Sequence, residues 1–228
     1  KSTTNRVHQL EQTLPTRLSS TRPLWRGSIR GLSMDQTKNK ILALCGILIL
    51  PALTFAEDQG MVLVQGAFYI DVFEYPNQRG QLPKVDITWH QAEKLCAAQG
   101  KRLCSEQEWQ QACSGPQNFA YSYADTFESG RCNTPRIANG IWLRGPGLAA
   151  SGSYENCTND FGVHDMIGNA WEWTSSWYSR PDLWRVVRGG SYFQNVNLAR
   201  ADTRYGQFLG PEYHLDLVGF RCCRSLVK

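Results

Sequence analysis

From Met61 to Tyr75 the chain reads MVLVQGAFYIDVFEY, apolar and rich in β-branched and aromatic residues, with Gly66 as an interruption. Such a run predicts two short strands on either side of a break. PNQRGQLP follows as a turn-rich link. The period then changes. In TWHQAEKLCAAQGKR, Ala92, Leu95, Cys96 and Gln99 recur at helical spacing, Thr88 and Gln91 form a capping box, and Gly100 supplies the stop. SEQEWQQAC repeats the device over about two turns: Ser105 caps, Glu108 returns the bond, and Trp109, Ala112 and Cys113 share an inner face. From Ser114 to Phe161 no period holds, and Gly, Pro, Ser and Asn surround isolated aromatics. A stretch of that kind inside a compact domain must be pinned, and Cys132 with Cys157 is the candidate pair. Near the end, RVVRGGSY and LVGFRCC alternate enough to be strands. Two early helices and short late strands joined by long loops predict one α+β domain of low regularity.

One hydrophobic run does not belong to that domain. ILALCGILILPALTFA begins at Ile41, after Lys38 and Lys40, and ends in Thr54, Phe55 and Ala56 before acidic residues. Positive end, short apolar stretch and small residues are the layout of a secretory signal. Its ten apolar residues before Pro51 fall short of the ~20 of a spanning helix. The expected organisation is an upstream or disordered segment over 1–33, a signal peptide over 34–56 with translation starting at Met34, and a folded domain over 57–228. The domain is expected in an exported location, periplasmic or extracellular, with no stable membrane span once the signal is removed.

Charge removes one class of partner. Residues 1–56 hold eight Lys/Arg against two Asp/Glu, leaving sixteen against eighteen for 57–228, so the folded part is close to neutral and carries no basic cluster for nucleic acid. Cysteines add a constraint. Seven of the eight fall in 57–228, without CxxC or HExxH spacing, and in an oxidising compartment disulfides are the expectation for such a set. An odd number leaves at least one thiol unpaired within the chain.

The most specific text is GNAWEWTSSWY and RVVRGGSY. With ITWHQAEKLCAAQGKRLCSEQEWQQAC upstream and GFRC at the end, this ordered set resembles the formylglycine-generating enzyme, or sulfatase-modifying-factor, family, from about Met61 to Arg224. The resemblance implies a single loop-rich C-type-lectin-like domain with two early helices and short antiparallel strands. In the family's oxidases two cysteines spaced C-x4-C follow GGS and hold copper, a task suited to soft thiolates. Here the segment is Phe193, Gln194, Asn195, Val196, Asn197, Leu198 and Ala199, so both thiols are missing and copper is not expected. The resemblance therefore points to a binding or structural module. The alternative it leaves is an oxidoreductase of the formylglycine-generating or cofactor- and pigment-maturation type acting on a protein or peptide, with Tyr192, Gln194, Arg200, Arg204 and Trp173 lining its pocket.

The resemblance also carries calcium ligands to Asp165 and Glu172 by side chain and to Gly168 and Ala170 by main-chain carbonyl, a hard-oxygen set that calcium accepts. A further family calcium site would use Asn133 and Thr134, but LRGPGLAAS offers no matching Asp. For the bridges, the resemblance pairs Cys96 with Cys222, and Cys132 with Cys157 would pin the middle. Cys104 and Cys113 bracket the short helix, and either can reach Cys223; Cys104 is preferred, with Cys113 packed as a small apolar residue.

Plainer uses compete for the other conspicuous residues. Trp171, Trp173 and Trp177 read as core rather than as a stacking stripe. Arg188, Arg200, Arg204 and Arg221 could form an anion pocket, but pairing with acids such as Glu172 and Asp202 is the simpler use. His90 and His164 lack a partner at metal spacing and are expected at the surface. GPGLAA matches a dinucleotide loop by chance, since no strand precedes it. NCT at Asn156 is a glycosylation acceptor only in a eukaryotic secretory pathway.

Overall fold

The computed structural model describes residues 60–226 apart from 140, 144 and 194, and the backbone only of 137, 138 and 142. The expectations for 1–33 and 34–56 lie outside the described residues, as does Gln194. The elements in chain order are β1 (Met61–Val64), β2 (Phe68–Asp71), α1 (Trp89–Ala97), β3 (Arg102–Leu103), α2 (Glu106–Ser114), β4 (Arg136–Ala138), β5 (Ile141–Leu143), β6 (Trp171–Ser179), β7 (Trp184–Arg188), β8 (Val218–Phe220) and β9 (Cys222–Ser225).

Both helices start where their side chains can satisfy the free N–H groups of the first turn. The Thr88 hydroxyl accepts from the Gln91 N–H and the Gln91 amide oxygen from the Thr88 N–H; Ser105 and Glu108 do the same for α2. Glu108 also carries the Arg102 fork at 2.6 and 2.7 Å, tying β3 to the helix that follows it. Gly115, at φ 68°, ends α2 in a backbone region that residues with a Cβ rarely enter.

The strands form three sheets, ordered β1-β2-β9-β3, β4-β5 and β7-β6-β8. All pairs but one are antiparallel; β6 runs parallel to β8, Trp171 opposite Val218 and Trp173 opposite Phe220. That pair departs from the expected antiparallel set. The nine-residue β6 and the β4–β5 hairpin were not expected either. The first lies in a Trp- and Ser-rich stretch without period-2 alternation, the second in the aperiodic middle.

Successive residues of a strand point to opposite faces, and β9 uses this to divide the core. Cys223 joins the cluster of Trp109, Ala112, Cys113, Ile70, Met166 and Ile167 under α2. Cys222 joins the cluster of Trp89, Ala92, Trp171, Trp173, Val187 and Phe220 under α1. The bridges follow: Cys222 bonds Cys96 of α1, and Cys223 bonds Cys104 just before α2, over sequence separations of 126 and 119 residues. Cys132 bonds Cys157 across the irregular middle, and Cys113 is free and buried. Cys96–Cys222 is the pair that the family resemblance implied, Cys132–Cys157 the pair expected to pin the middle, and Cys104–Cys223 the preferred of the two pairings left open for Cys223.

Candidate functional site

Strand β7 runs into the Arg188-Gly189-Gly190-Ser191-Tyr192 turn. Gly189 and Gly190 lie at φ 94° and 75°, and a Cβ on Gly190 would stand 2.9 Å from the Ala199 Cα, so neither position accepts a side chain without strain. The turn is sewn to its surroundings by main-chain bonds: Gly168 N–H to Gly189 carbonyl at 2.8 Å, Tyr192 N–H to Asn169 carbonyl at 3.0 Å, and Gly145 N–H to Tyr192 carbonyl at 2.8 Å. Beyond it, Asn195 caps a single 3-10 turn, Val196–Leu198, by accepting from the Asn197 N–H. Val196 and Ala199 are buried in this segment. It thus anchors itself with apolar side chains in the stretch where the family's oxidases carry thiols.

Next to the turn lies a cleft of about 520 Å³ between Gly145–Gly147, Tyr192–Phe193 and Leu215–Leu217. Its walls present polar and apolar surface in nearly equal measure, with Asp216 contributing a carboxylate. Of the five residues expected to line one pocket, Tyr192 does so. Trp173 is fully buried, its indole N–H donating to the Ile87 carbonyl at 2.9 Å. Arg200 forks onto Asp202 at 2.9 and 3.0 Å and lies over the Tyr121 ring. Arg204 binds Glu106 at 2.8 Å. Gln194 is outside the described residues. Trp173, Arg200 and Arg204 therefore do not join Tyr192 in one pocket, because each is committed to a partner on a different element.

The arginines form no common anion pocket. Glu106 holds both Arg188 and Arg204, at 3.0 and 2.8 Å, and Arg188 also donates to the carbonyls of Ala201 and Thr203. Arg185 is sandwiched between the rings of Trp89 and Trp177, its guanidinium carbon 3.6 and 3.4 Å from their centroids. His90 faces Glu212 in solvent, as expected, but His164 is half-buried and stacked on Phe73, where burial lowers its pKa.

Behind the turn is a buried polar centre. Arg221 donates to Glu172 through Nε and Nη2, both at 2.7 Å, and the Trp109 indole N–H gives the carboxylate a third bond at 2.6 Å. Glu74 accepts from both sides of this centre: Asn169 Nδ2 at 2.9 and 3.1 Å and the Ser151 hydroxyl at 3.2 Å. Burial, with Asp165 and Glu172 nearby, raises the Glu74 carboxyl well above the usual range. Asp165 accepts from the Gly152 N–H at 2.6 Å, and burial pushes its pKa up to about 6. Glu74 and Asn169 were not singled out from the sequence; the visible trace was an acid inside an otherwise apolar run, DVFEY.

The calcium set implied for Asp165, Gly168, Ala170 and Glu172 can be tested against this arrangement. Both Glu172 oxygens face the Arg221 guanidinium, a fixed positive charge where a divalent cation would have to stand. Among the described residues no group of three or more His, Cys, Asp or Glu is placed to hold a metal. The Glu172 carboxylate is therefore committed to Arg221 rather than free to ligate a cation.

Comparison with known proteins accounts for this combination of fold and glycine-rich turn. The family model described as the sulfatase-modifying factor enzyme 1-like domain matches residues 55–226. The chain belongs to this family. Among curated relatives, the inactive C-alpha-formylglycine-generating enzyme 2 of Bos taurus is 33% identical over 156 residues, 62% of this chain and 50% of that protein. The formylglycine-generating enzyme of the same organism is 30% identical over 167 residues, 61% of this chain and 43% of that one. The chain thus spans about half the length of these relatives, or less. Among solved structures, PvdO from Pseudomonas aeruginosa aligns at a TM-score of 0.56 and 18% identity over 70% of this chain and 80% of that one, a likeness of fold. The sulfatase-modifying-factor domain seen here is the C-type-lectin-like fold, with two helices and mixed strands.

Proposed function

We propose that this chain is an exported, non-catalytic sulfatase-modifying-factor domain that acts as a binding module. The carrying observation is the segment after Gly190: it contains no sulfur, and it buries Val196 and Ala199 where it turns back into the core. The free thiol among the described residues, Cys113, is fully buried, and burial raises its pKa, so it supplies no thiolate for copper or for attack. That a relative in cattle carries the description "inactive" supports the same reading. Three disulfides favour an oxidising compartment, and the run from Ile41 to Ala56 supports export to a periplasmic or extracellular location. The ligand seat is the cleft beside Tyr192, whose size and mixed polar and apolar lining suit a peptide segment or a small molecule.

The test is to incubate the chain with a CxPxR peptide in the presence and absence of Cu(I) and to follow the peptide by mass spectrometry. Unchanged cysteine, at the level of a no-protein control, is expected. Formylglycine formation above that control overturns the non-catalytic reading.

A further inference from the structure

The loop 211–215 contains neither helix nor strand and leads into Leu215–Leu217, one wall of the cleft beside Tyr192. It lies across residues 86–90, where α1 begins, and is fastened there at two points. Trp89 N–H donates to the Pro211 carbonyl and Asp86 N–H to the Leu215 carbonyl, both at 3.0 Å. Trp89 is the first residue of α1, so its N–H has no acceptor within the helix and the loop supplies one.

Each fastening is doubled by a histidine facing a carboxylate, with the roles exchanged. At the Leu215 end, His214 of the loop places Nδ1 2.8 Å from Asp86 Oδ1. At the Pro211 end the loop supplies the acid: Glu212 Oε1 stands 3.5 Å from His90 Nε2. Asp86 thus holds the loop through both its N–H and its carboxylate. All four side chains are exposed, so each contact is weak and depends on charge. Imidazoles gain their charge as pH falls from about 8 to about 5, which turns both contacts into ion pairs. On the alkaline side the closer contact keeps a neutral hydrogen bond, whereas at 3.5 Å little remains. Of the other charged side chains on these segments, Glu93 and Lys94 stand a turn beyond His90 and oppose each other in sign. Lys84 and Asp216 each lie two residues from Asp86 and His214 in sequence, and Arg185 of β7 lies over the Trp89 ring. Among the described residues none of these five pairs with either imidazole.

We propose that residues 211–215 are a pH-sensitive strap, clasped to 86–90 when His90 and His214 are protonated and loosened above neutral pH, which sets how firmly the Leu215–Leu217 wall of the cleft is held. Control of a ligand by this strap rests on the reading of the cleft as a binding site; the clasp itself does not.

The test is amide hydrogen exchange of the full chain without ligand, resolved by residue with NMR and expressed as protection factors at about pH 6 and about pH 8. Trp89 and Asp86 report the two fastenings, and Val218 reports the cleft wall through its bond to the Leu215 carbonyl at 2.9 Å. Ala92, bonded to Thr88 within α1, is the internal control. Protection of Trp89, Asp86 and Val218 should fall about threefold from the lower to the higher pH while Ala92 holds its own. Added salt should weaken it at the lower pH. In the double variant Asp86→Asn, Glu212→Gln the protection should no longer change with pH. Both acids are exposed and Asn accepts the left-handed backbone of position 86, so the variant should melt with the parent at the higher pH. Constant protection of Trp89 and Asp86 in the parent, or a change that persists in the double variant, overturns the strap. A response at those two amides that stops short of Val218 overturns its link to the cleft. Because no ligand is present, either result is distinct from a cleft that binds nothing.

Discussion

Arg221 closes a two-bond fork on Glu172, Nε and Nη2 each at 2.7 Å, with neither side chain reaching solvent. The pair joins β6 to the residue between β8 and β9, and Arg221 adds bonds to the carbonyls of Asp71, Val72 and His164. A buried pair so fully satisfied is costly to break from one side, because the remaining charge keeps its desolvation penalty. Arg221→Ala should therefore destabilise the protein by about 3–5 kcal/mol in denaturant melts. A loss below ~1 kcal/mol would mean that the pair is solvated in solution.

The same fork bears on calcium. Ligand that binds only the folded state raises the melting temperature by mass action. With Arg221 on both Glu172 oxygens, neither calcium nor EDTA should move the melting curve. A rise with calcium that Asp165→Ala abolishes would show that the fork opens to admit the cation.

The two long bridges should prove non-additive. In the chain-entropy picture, closing a loop of 126 residues stabilises by roughly 5 kcal/mol. Once Cys104–Cys223 is made, however, Cys96–Cys222 closes only a small ring of about ten residues. Replacing either pair by Ala should cost ~2–3 kcal/mol, and replacing both ~7 or more. Peptide mapping without reduction should return Cys96–Cys222, Cys104–Cys223 and Cys132–Cys157; Cys96 joined to Cys104 would overturn the pairing.

Cys113 sits against the Met166 carbonyl in the core, and burial first, then the nearby Glu172 charge, raises its pKa. Iodoacetamide should leave it unmodified in the native protein and label it at the rate of global unfolding. Rapid native labelling would show that α2 opens locally.

Asp165 and Glu74 predict a pH dependence with a definite sign. Their carboxyls titrate higher in the folded than in the unfolded chain, chiefly because of burial, so the stability they contribute is full at acid pH. For Asp165 it is lost as pH rises from about 4 through about 6. The melting temperature of Asp165→Asn should fall less steeply than that of the parent over this window. Parallel profiles would show that Asp165 is ionised at no cost.

How much of this was legible beforehand depends on the reach of each interaction. The helices were, because Thr88–Gln91 and Ser105–Glu108 close over three residues and need nothing beyond their own turn. So was the lack of thiols after Gly190, a matter of composition alone. The pleat of β9, which gives Cys222 and Cys223 opposite faces, follows from adjacency in a strand, and the family resemblance supplied the partner of Cys222, while that of Cys223 was left open between Cys104 and Cys113. The partners of the charged groups were a different matter. Arg221 meets Glu172 across 49 residues, Arg188 meets Glu106 across 82, and Asn169 meets Glu74 across 95. Nothing in the local pattern favours one acid over another at such separations, and only the packing of the strands decides which carboxylate an arginine can reach. The same packing set β6 parallel to β8 and left Leu183 and Phe208 outside the core, where their apolar character alone would have placed them within it.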